Sequence, residues 1–141
     1  MDKSRALDRK DAVPKIVGDP SDLLIVCGLA GASKDIAHLT NDGDNIFTMA
    51  GAMGGATAMG LGLALSRPDK RVLVVTGDGE LLMNIGTLST VGILKPSNLS
   101  ILCVDNGHYG EIGYQESHTQ RGVNLELIAQ GSAIPVTRTV S

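Results

Sequence analysis

The sequence predicts an α/β fold: an open, doubly wound, mostly parallel sheet with helices on both faces. Three observations carry that prediction. Short apolar runs at Leu23–Cys27, 72–76 and Leu99–Val104 alternate with helix-sized segments, the pattern of successive βαβ units. Within the runs apolar residues follow one another without alternation, as in strands covered on both faces. Glycine, at 18 of 141 residues, is about twice as common as in average proteins. It gathers at 51–62, 77–79 and 107–113, which suggests that the backbone there approaches something closely.

In order along the chain, residues 2–13 read as a polar helix stopped by Pro14. Leu23–Cys27 is the first strand, 28–31 turn the chain, and 32–39 form a short helix. Asn41-Asp42-Gly43-Asp44-Asn45 is a polar loop, and 46–49 a brief strand. From 54 to 66 small and apolar residues fall on all sides, as in a helix buried against a sheet, and Pro68-Asp69 ends it. The strand 72–76 leads into a helix over 80–94, with Leu81, Ile85 and Leu88 on one face and Pro96 blocking extension. After the strand Leu99–Val104, residues 107–122 show no period and many polar groups, and so read as a functional loop. Asn124 caps a last helix through Gln130. Residues 136–140 read as a final strand, so the domain is expected to be incomplete at its C-terminus.

By length, residues 1–141 make one domain. A formal charge of −3, with no Lys/Arg run interleaved with aromatics, argues against nucleic acid as a partner. Cys27 and Cys103 lie in predicted strands and read as buried reduced thiols, with a disulfide between neighbouring strands as the lesser alternative. Neither they nor the three scattered histidines make a zinc pattern, and His38 is given no role. The charged opening is no signal peptide. The glycine-dotted stretch 50–66 falls short of the roughly 18 residues of a membrane span. A soluble cytoplasmic protein is expected. No strand-terminal G-x-G-x-x-G is present, since Leu82 stands where the third glycine after Gly77 and Gly79 would fall, which excludes a dinucleotide fingerprint.

Chemistry concentrates at two strand ends. Gly77-Asp78-Gly79 closes one strand and Asp105-Asn106 closes the next. Strand C-termini line the binding crevice of an open parallel sheet, so Asp78 and Asn106 are expected to face each other there, beside the start of a helix near Glu80. Hard oxygen ligands suit Mg²⁺. A carboxylate, an amide, a main-chain carbonyl assigned to His108 and two phosphate oxygens leave room for one water in a six-coordinate shell. Against this stand plainer readings. Asp78 alone is an ordinary turn residue, Met53 an ordinary core methionine, and His108, Tyr109, Glu111, His118 and Arg121 solvated loop residues.

Taken together, these residues resemble a known family. Gly77-Asp78-Gly79 followed after 26 residues by Asn106, the Gly51-Ala52-Met53-Gly54 turn, and Tyr109 three residues past Asn106 are similar to the diphosphate-binding domain of thiamin-diphosphate-dependent decarboxylases. Within that group the sulfopyruvate and phosphonopyruvate decarboxylases resemble the chain most, from about residue 22 to 141. The resemblance implies the thiamin-diphosphate-binding fold, with thiamin diphosphate and Mg²⁺ as cofactors. It implies that Asp78, the Asn106 side chain and the His108 carbonyl hold the ion. Backbone groups around Gly31, Gly79, Glu80 and Gly110 contact the diphosphate, with Gly77 and Tyr109 also among the cofactor-binding residues. Met53 props the two cofactor rings into a bent form, and the Gly51 carbonyl accepts a hydrogen bond from the aminopyrimidine. Glu111 and His118 are the candidate catalytic proton carriers, and Arg121 a partner for an anionic substrate. One departure is Asp105, where the family often has Asn; it is placed outside the metal shell.

The activity implied is that of a carboxy-lyase releasing CO₂ and an aldehyde from a small anionic 2-oxo acid. The family needs a glutamate from a pyrimidine-binding domain, which these motifs do not include. The expected partner is therefore a pyrimidine-binding subunit or domain, supplied by another chain or a missing segment, in a homo- or hetero-oligomer. The alternatives are carboligation of the acetolactate-synthase kind and a non-catalytic, cofactor-binding subunit.

Overall fold

A computed structural model describes residues 7–29 and 31–141. Four parallel strands, β1 (Leu23–Cys27), β2 (Ile46–Thr48), β3 (Arg71–Gly77) and β4 (Leu99–Val104), form a sheet in the order β2-β1-β3-β4. Cys27 lies opposite both Thr48 and Val75, and Gly77 lies opposite Val104, so all four C-terminal ends share one edge of the sheet. The chain winds outward from β1 to β2 and then crosses to the far side of β1. The junction of β1 and β3 is thus the topological switch point, where ligands of such sheets bind.

Alternate residues of the central strands serve opposite faces. Ile25, Cys27, Leu73 and Val75 pack with Val13 of helix α1 (Arg9–Val17) and with Ala32 and Ile36 of α2 (Gly31–Leu39). Val26 and Val74 pack with Ala56 of α3 (Ala56–Ser66) on the other face. The doubly wound expectation holds. Asn98 fixes the far end of α3, its amide donating to the carbonyls of Ala64, Arg67 and Lys70 at 2.8–3.0 Å.

Several elements differ from expectation. The first helix starts at its cap, Asp8, whose carboxylate accepts from the Lys10 N–H at 2.9 Å, and it runs through Pro14 to Val17. Proline removes one helical hydrogen bond, but Val13 is buried and Val17 packs against the same core, and that burial carries the helix past it. The expected start of this helix, before residue 7, lies outside the described residues. The expected helix over 80–94 is two, α4 (Asp78–Met83) and α5 (Thr87–Leu94), parted at Asn84. The Asn84 amide donates to the Gly54 carbonyl at 3.0 Å, a tertiary bond that competes with helix continuation. The 107–122 loop contains a small antiparallel hairpin, β5 (His108–Tyr109) and β6 (Gln115–Glu116), and a 3₁₀ turn over Thr119–Arg121. Helix α6 (Leu125–Gly131) is capped by Asn124 as expected, its side chain accepting from the Leu127 N–H at 3.0 Å.

Residues 136–140 are not a strand. Val136 and Val140 are exposed there, and Thr137 and Thr139 bond to Gln130 and Glu126 instead of to a sheet edge. Cys27 and Cys103 are free thiols on β1 and β4, with β3 between those strands, which removes the disulfide alternative. No helix among the described residues is long and apolar enough to cross a membrane.

Candidate functional site

The site is built where the turns after β1, β3 and β4 meet at the C-terminal edge. Asp78, at the first position of α4, is only 2% exposed. Its Oδ2 accepts hydrogen bonds from the Ser117 hydroxyl and, at 3.1 Å, from the Thr119 hydroxyl. Thr119 also reaches the Oδ1 of Asp105 at 2.7 Å, where the Gly107 N–H donates at 2.9 Å. Asn106 lies exposed beside this network. Its Oδ1 accepts from the His108 N–H, and its carbonyl accepts from the His108 ring Nδ1, both at 2.9 Å. Asp78 and Asn106 thus end adjacent strands, as expected, while Asp105 is turned into hydrogen bonds of its own.

Glycines allow two close approaches here. A Cβ on Gly79 would stand 2.3 Å from Cε1 of Tyr109, so the tyrosine ring lies directly on the Gly79 backbone. A Cβ on Gly28 would stand 1.7 Å from Oε2 of Glu80. That carboxylate, on a residue 4% exposed, accepts from the Leu29 N–H at 2.9 Å and spans the switch point between the β3 and β1 turns. Its Oε1 is buried without a partner among the described residues. Burial, with the Glu80 charge adding to it, pushes the Cys27 thiol up to about 12. Cys103 is raised by burial first and then by Asp78, Asp105 and Glu80. Both stay neutral thiols beside an acidic edge.

The turn after β2 is docked onto the α4–α5 break. Gly51 has φ 108° and Gly54 φ 83°, and a Cβ on Gly54 would stand 3.2 Å from that of Asn84. Half-buried Met53 lies between them, its N–H donating to the Gly51 carbonyl at 3.1 Å. Gly31 opens α2, with the Arg9 guanidinium lying where its Cβ would be and Arg9 Nε 2.6 Å from Asp35. Gly110 is exposed, with open space at its Cβ position.

The expected proton carriers are elsewhere on the loop. Glu111 is exposed and faces Lys34 at 3.9 Å, and His118 is exposed, its carbonyl accepting from the Arg121 and Val123 N–H groups. Arg121, expected to meet an anionic substrate, pairs with Glu116 at 3.1 Å. His108 stacks on Tyr114 with ring centroids 4.4 Å apart. Ser117 and Thr119 were not singled out in the sequence. Two hydroxyls two residues apart in a polar loop have no motif to mark them, and only the return path of the hairpin brings them to Asp78.

This edge, with its acidic turn at the switch point and glycines under an aromatic ring, defines a cofactor-binding α/β domain. Residues 30–133 match the model of the thiamine pyrophosphate enzyme, C-terminal TPP binding domain family, and the chain belongs to that family. It is 40% identical over 133 residues to sulfopyruvate decarboxylase subunit beta of Methanocaldococcus jannaschii, covering 94% of this chain and 70% of that one. It is 43% identical over 110 residues to phosphonopyruvate decarboxylase of Streptomyces viridochromogenes, covering 78% of this chain and 27% of that one. Among solved structures, a protein from Mycobacterium smegmatis assigned as a thiamin diphosphate-dependent enzyme superposes with a TM-score of 0.73 at 21% identity, over 91% of this chain and 26% of that one. That likeness bears on the fold alone.

Proposed function

We propose that the chain is the diphosphate-binding half of a thiamin-diphosphate- and Mg²⁺-dependent decarboxylase acting on a small anionic 2-oxo acid. The observation that carries the reading is the buried Asp78 carboxylate at the switch-point edge, whose hydrogen bonds among the described residues all go to Oδ2. Its other oxygen faces no protein donor among the described residues. The residues fit the cation. No group of three or more His, Cys, Asp and Glu among the described residues could hold a metal ion. An ion here would therefore draw on Asp78, the Asn106 amide, the His108 carbonyl and the phosphate oxygens of the cofactor. The carboxylates of Asp78, Glu80 and Asp105 would oppose a bare diphosphate, and a divalent cation offsets them. Binding of ion and cofactor is thus mutually dependent.

When bound, thiamin diphosphate supplies the electron sink that allows a 2-oxo acid to lose CO₂. The chain's own residues do the holding. Gly79 and Glu80 lie in the first turn of α4, where main-chain N–H groups have no partner within the helix, and these would donate to phosphate oxygens, with Gly31, Gly77 and Gly110 around them. Met53 props the cofactor rings, and the Gly51 carbonyl, which has a lone pair beyond its bond to Met53, accepts from the aminopyrimidine. Glu111 and His118 move protons at the exposed mouth, and Arg121 meets an anionic substrate by exchanging its partner Glu116. A pyrimidine-binding subunit or domain completes the site. One relative of which this chain covers 70% is named a beta subunit, and in another the matching segment is 27% of a longer chain. Both arrangements supply additional polypeptide beside this domain.

Calorimetric titration with thiamin diphosphate, with and without Mg²⁺ and with and without the partner subunit, tests the reading. Binding should require Mg²⁺, tighten with the partner and vanish in Asp78→Ala. Absence of binding under every condition, or binding indifferent to Mg²⁺ and to Asp78→Ala, sinks it.

A further inference from the structure

The geometry points to Ser117 and Thr119 as positioning residues. They commit Asp78 to hold a divalent cation through Oδ1 alone and couple cation binding to the order of the 107–122 loop. The inference rests on the reading of the site just given and concerns hydroxyls with no assigned role.

Three arguments lead to it. First, Ser117 is 1% exposed and Asp78 2%, so their contact is shielded from water and its geometry is fixed by packing. Second, both hydroxyls stand against the same carboxylate oxygen, Oδ2 of Asp78, and among the described residues no donor reaches Oδ1. A carboxylate so held presents one oxygen, and a small cation with strict octahedral demands is served better by one fixed oxygen than by a freely rotating pair. Third, Thr119 has one proton and two carboxylates within reach, Asp105 at 2.7 Å and Asp78 at 3.1 Å. Its shorter bond goes to Asp105, which the Gly107 N–H also holds. Together they keep that second carboxylate turned away from the ion, while the Ser117 hydroxyl keeps its own proton for Asp78.

The pair belongs to the loop, not to the sheet. The Ser117 N–H donates to the Gly107 carbonyl at 2.7 Å, closing the hairpin that carries Tyr109, Glu111 and, just beyond, His118. An ion that fixes Asp78 therefore also fixes the point to which the loop is tied. By linkage, ordering the loop strengthens the ion site to the same degree.

The test uses the full chain, with and without the partner subunit, with thiamin diphosphate and Mn²⁺ as the probe, its affinity read by electron paramagnetic resonance, with amide exchange across 107–122 recorded in the metal-free and loaded states. Outer residues that orient metal ligands typically affect affinity by about 10–100-fold. Ser117→Ala and the double variant Ser117→Ala/Thr119→Val should each lose Mn²⁺ affinity in about that range. Thr119→Ser, which keeps the hydroxyl, should retain affinity within about threefold. Loading should slow exchange across the loop in the wild type and in Thr119→Ser, whereas in Ser117→Ala the slowing should persist near His108 and be lost over 115–122. A purely structural role would speed exchange in both states equally. Mn²⁺ binding by the wild type with unchanged affinity in the alanine and valine variants overturns this inference alone. Failure of the wild type to bind Mn²⁺ at all overturns the reading of the site and this inference with it.

Discussion

Gly79 illustrates how tightly single atoms are placed at this edge. A methyl group there would lie 2.3 Å from one carbon of the Tyr109 ring and 2.7 Å from the next, and helix α4 packs on β3 so that its backbone is not free to withdraw. Gly79→Ala must therefore displace the ring and with it the start of the hairpin. Overpacking of this kind costs about 1–3 kcal/mol. Urea denaturation of Gly79→Ala, Tyr109→Ala and the double variant should show coupling of about 1 kcal/mol or more, because removing the ring removes the clash. Additive effects would mean that the alanine is accommodated in some other way. At this scale the sequence was legible where a residue type and a strand end coincide, as at Asp78 and Asn106. It was silent where a side chain's partner is set by the course of a loop. Nothing local announced that Arg121 would take Glu116, that Glu80 would reach across to Leu29, or that Ser117 would reach Asp78.

The elements show the same division. Leu81, Ile85 and Leu88 keep a helical period through residues 80–94, and Leu81 and Leu88 are buried as that period requires, yet two helices carry them. Apolar period reports which side faces the core and not whether the backbone is continuous. The interruption comes from Asn84, whose amide is drawn to Gly54 thirty residues away in sequence. Asn84→Ala leaves the Gly54 carbonyl without that donor and should cost about 1 kcal/mol, the net worth of a typical hydrogen bond. The sharper readout is local: amide exchange should quicken in the 50–55 turn that bears Met53 while β1 and β3 keep their protection. Uniform loss across the sheet, or none at the turn, would show that Asn84 does not hold the turn. Pro14 and the 136–140 segment misled for a related reason. Helix α1 survives its proline through the burial of Val13, and a β-like run without a sheet neighbour remains irregular with Val136 84% exposed.

Across the whole molecule, the parallel sheet was readable because its buried strands are apolar throughout and regularly separated by helices. The same burial gives the fold a measurable weakness in alkali. Cys27, fully buried on β1, is raised from an ordinary 9.0 to about 12, and Cys103 on β4 is raised as well, each by burial first. In the unfolded chain both thiols ionise near 9, whereas in the native sheet they hold their protons to much higher pH. Above pH 9 the unfolded state therefore binds fewer protons than the native one, and stability falls as pH rises. The contribution is complete below about pH 9 and lost progressively toward 12, at up to about 1.4 kcal/mol per pH unit for each thiol. Urea midpoints measured from pH 7 to 10.5 should be flat at first and then decline for the wild type. In Cys27→Ala/Cys103→Ala the starting midpoint is lower because two buried groups shrink, but the decline above pH 9 should be markedly shallower. Both proteins carry the same tyrosines and lysines, so the difference in slope isolates the thiols. Parallel curves for the two proteins would show that the thiols ionise as readily in the native sheet as outside it, and that the carboxylates of Asp78, Glu80 and Asp105 do not extend their field to the strands beneath them.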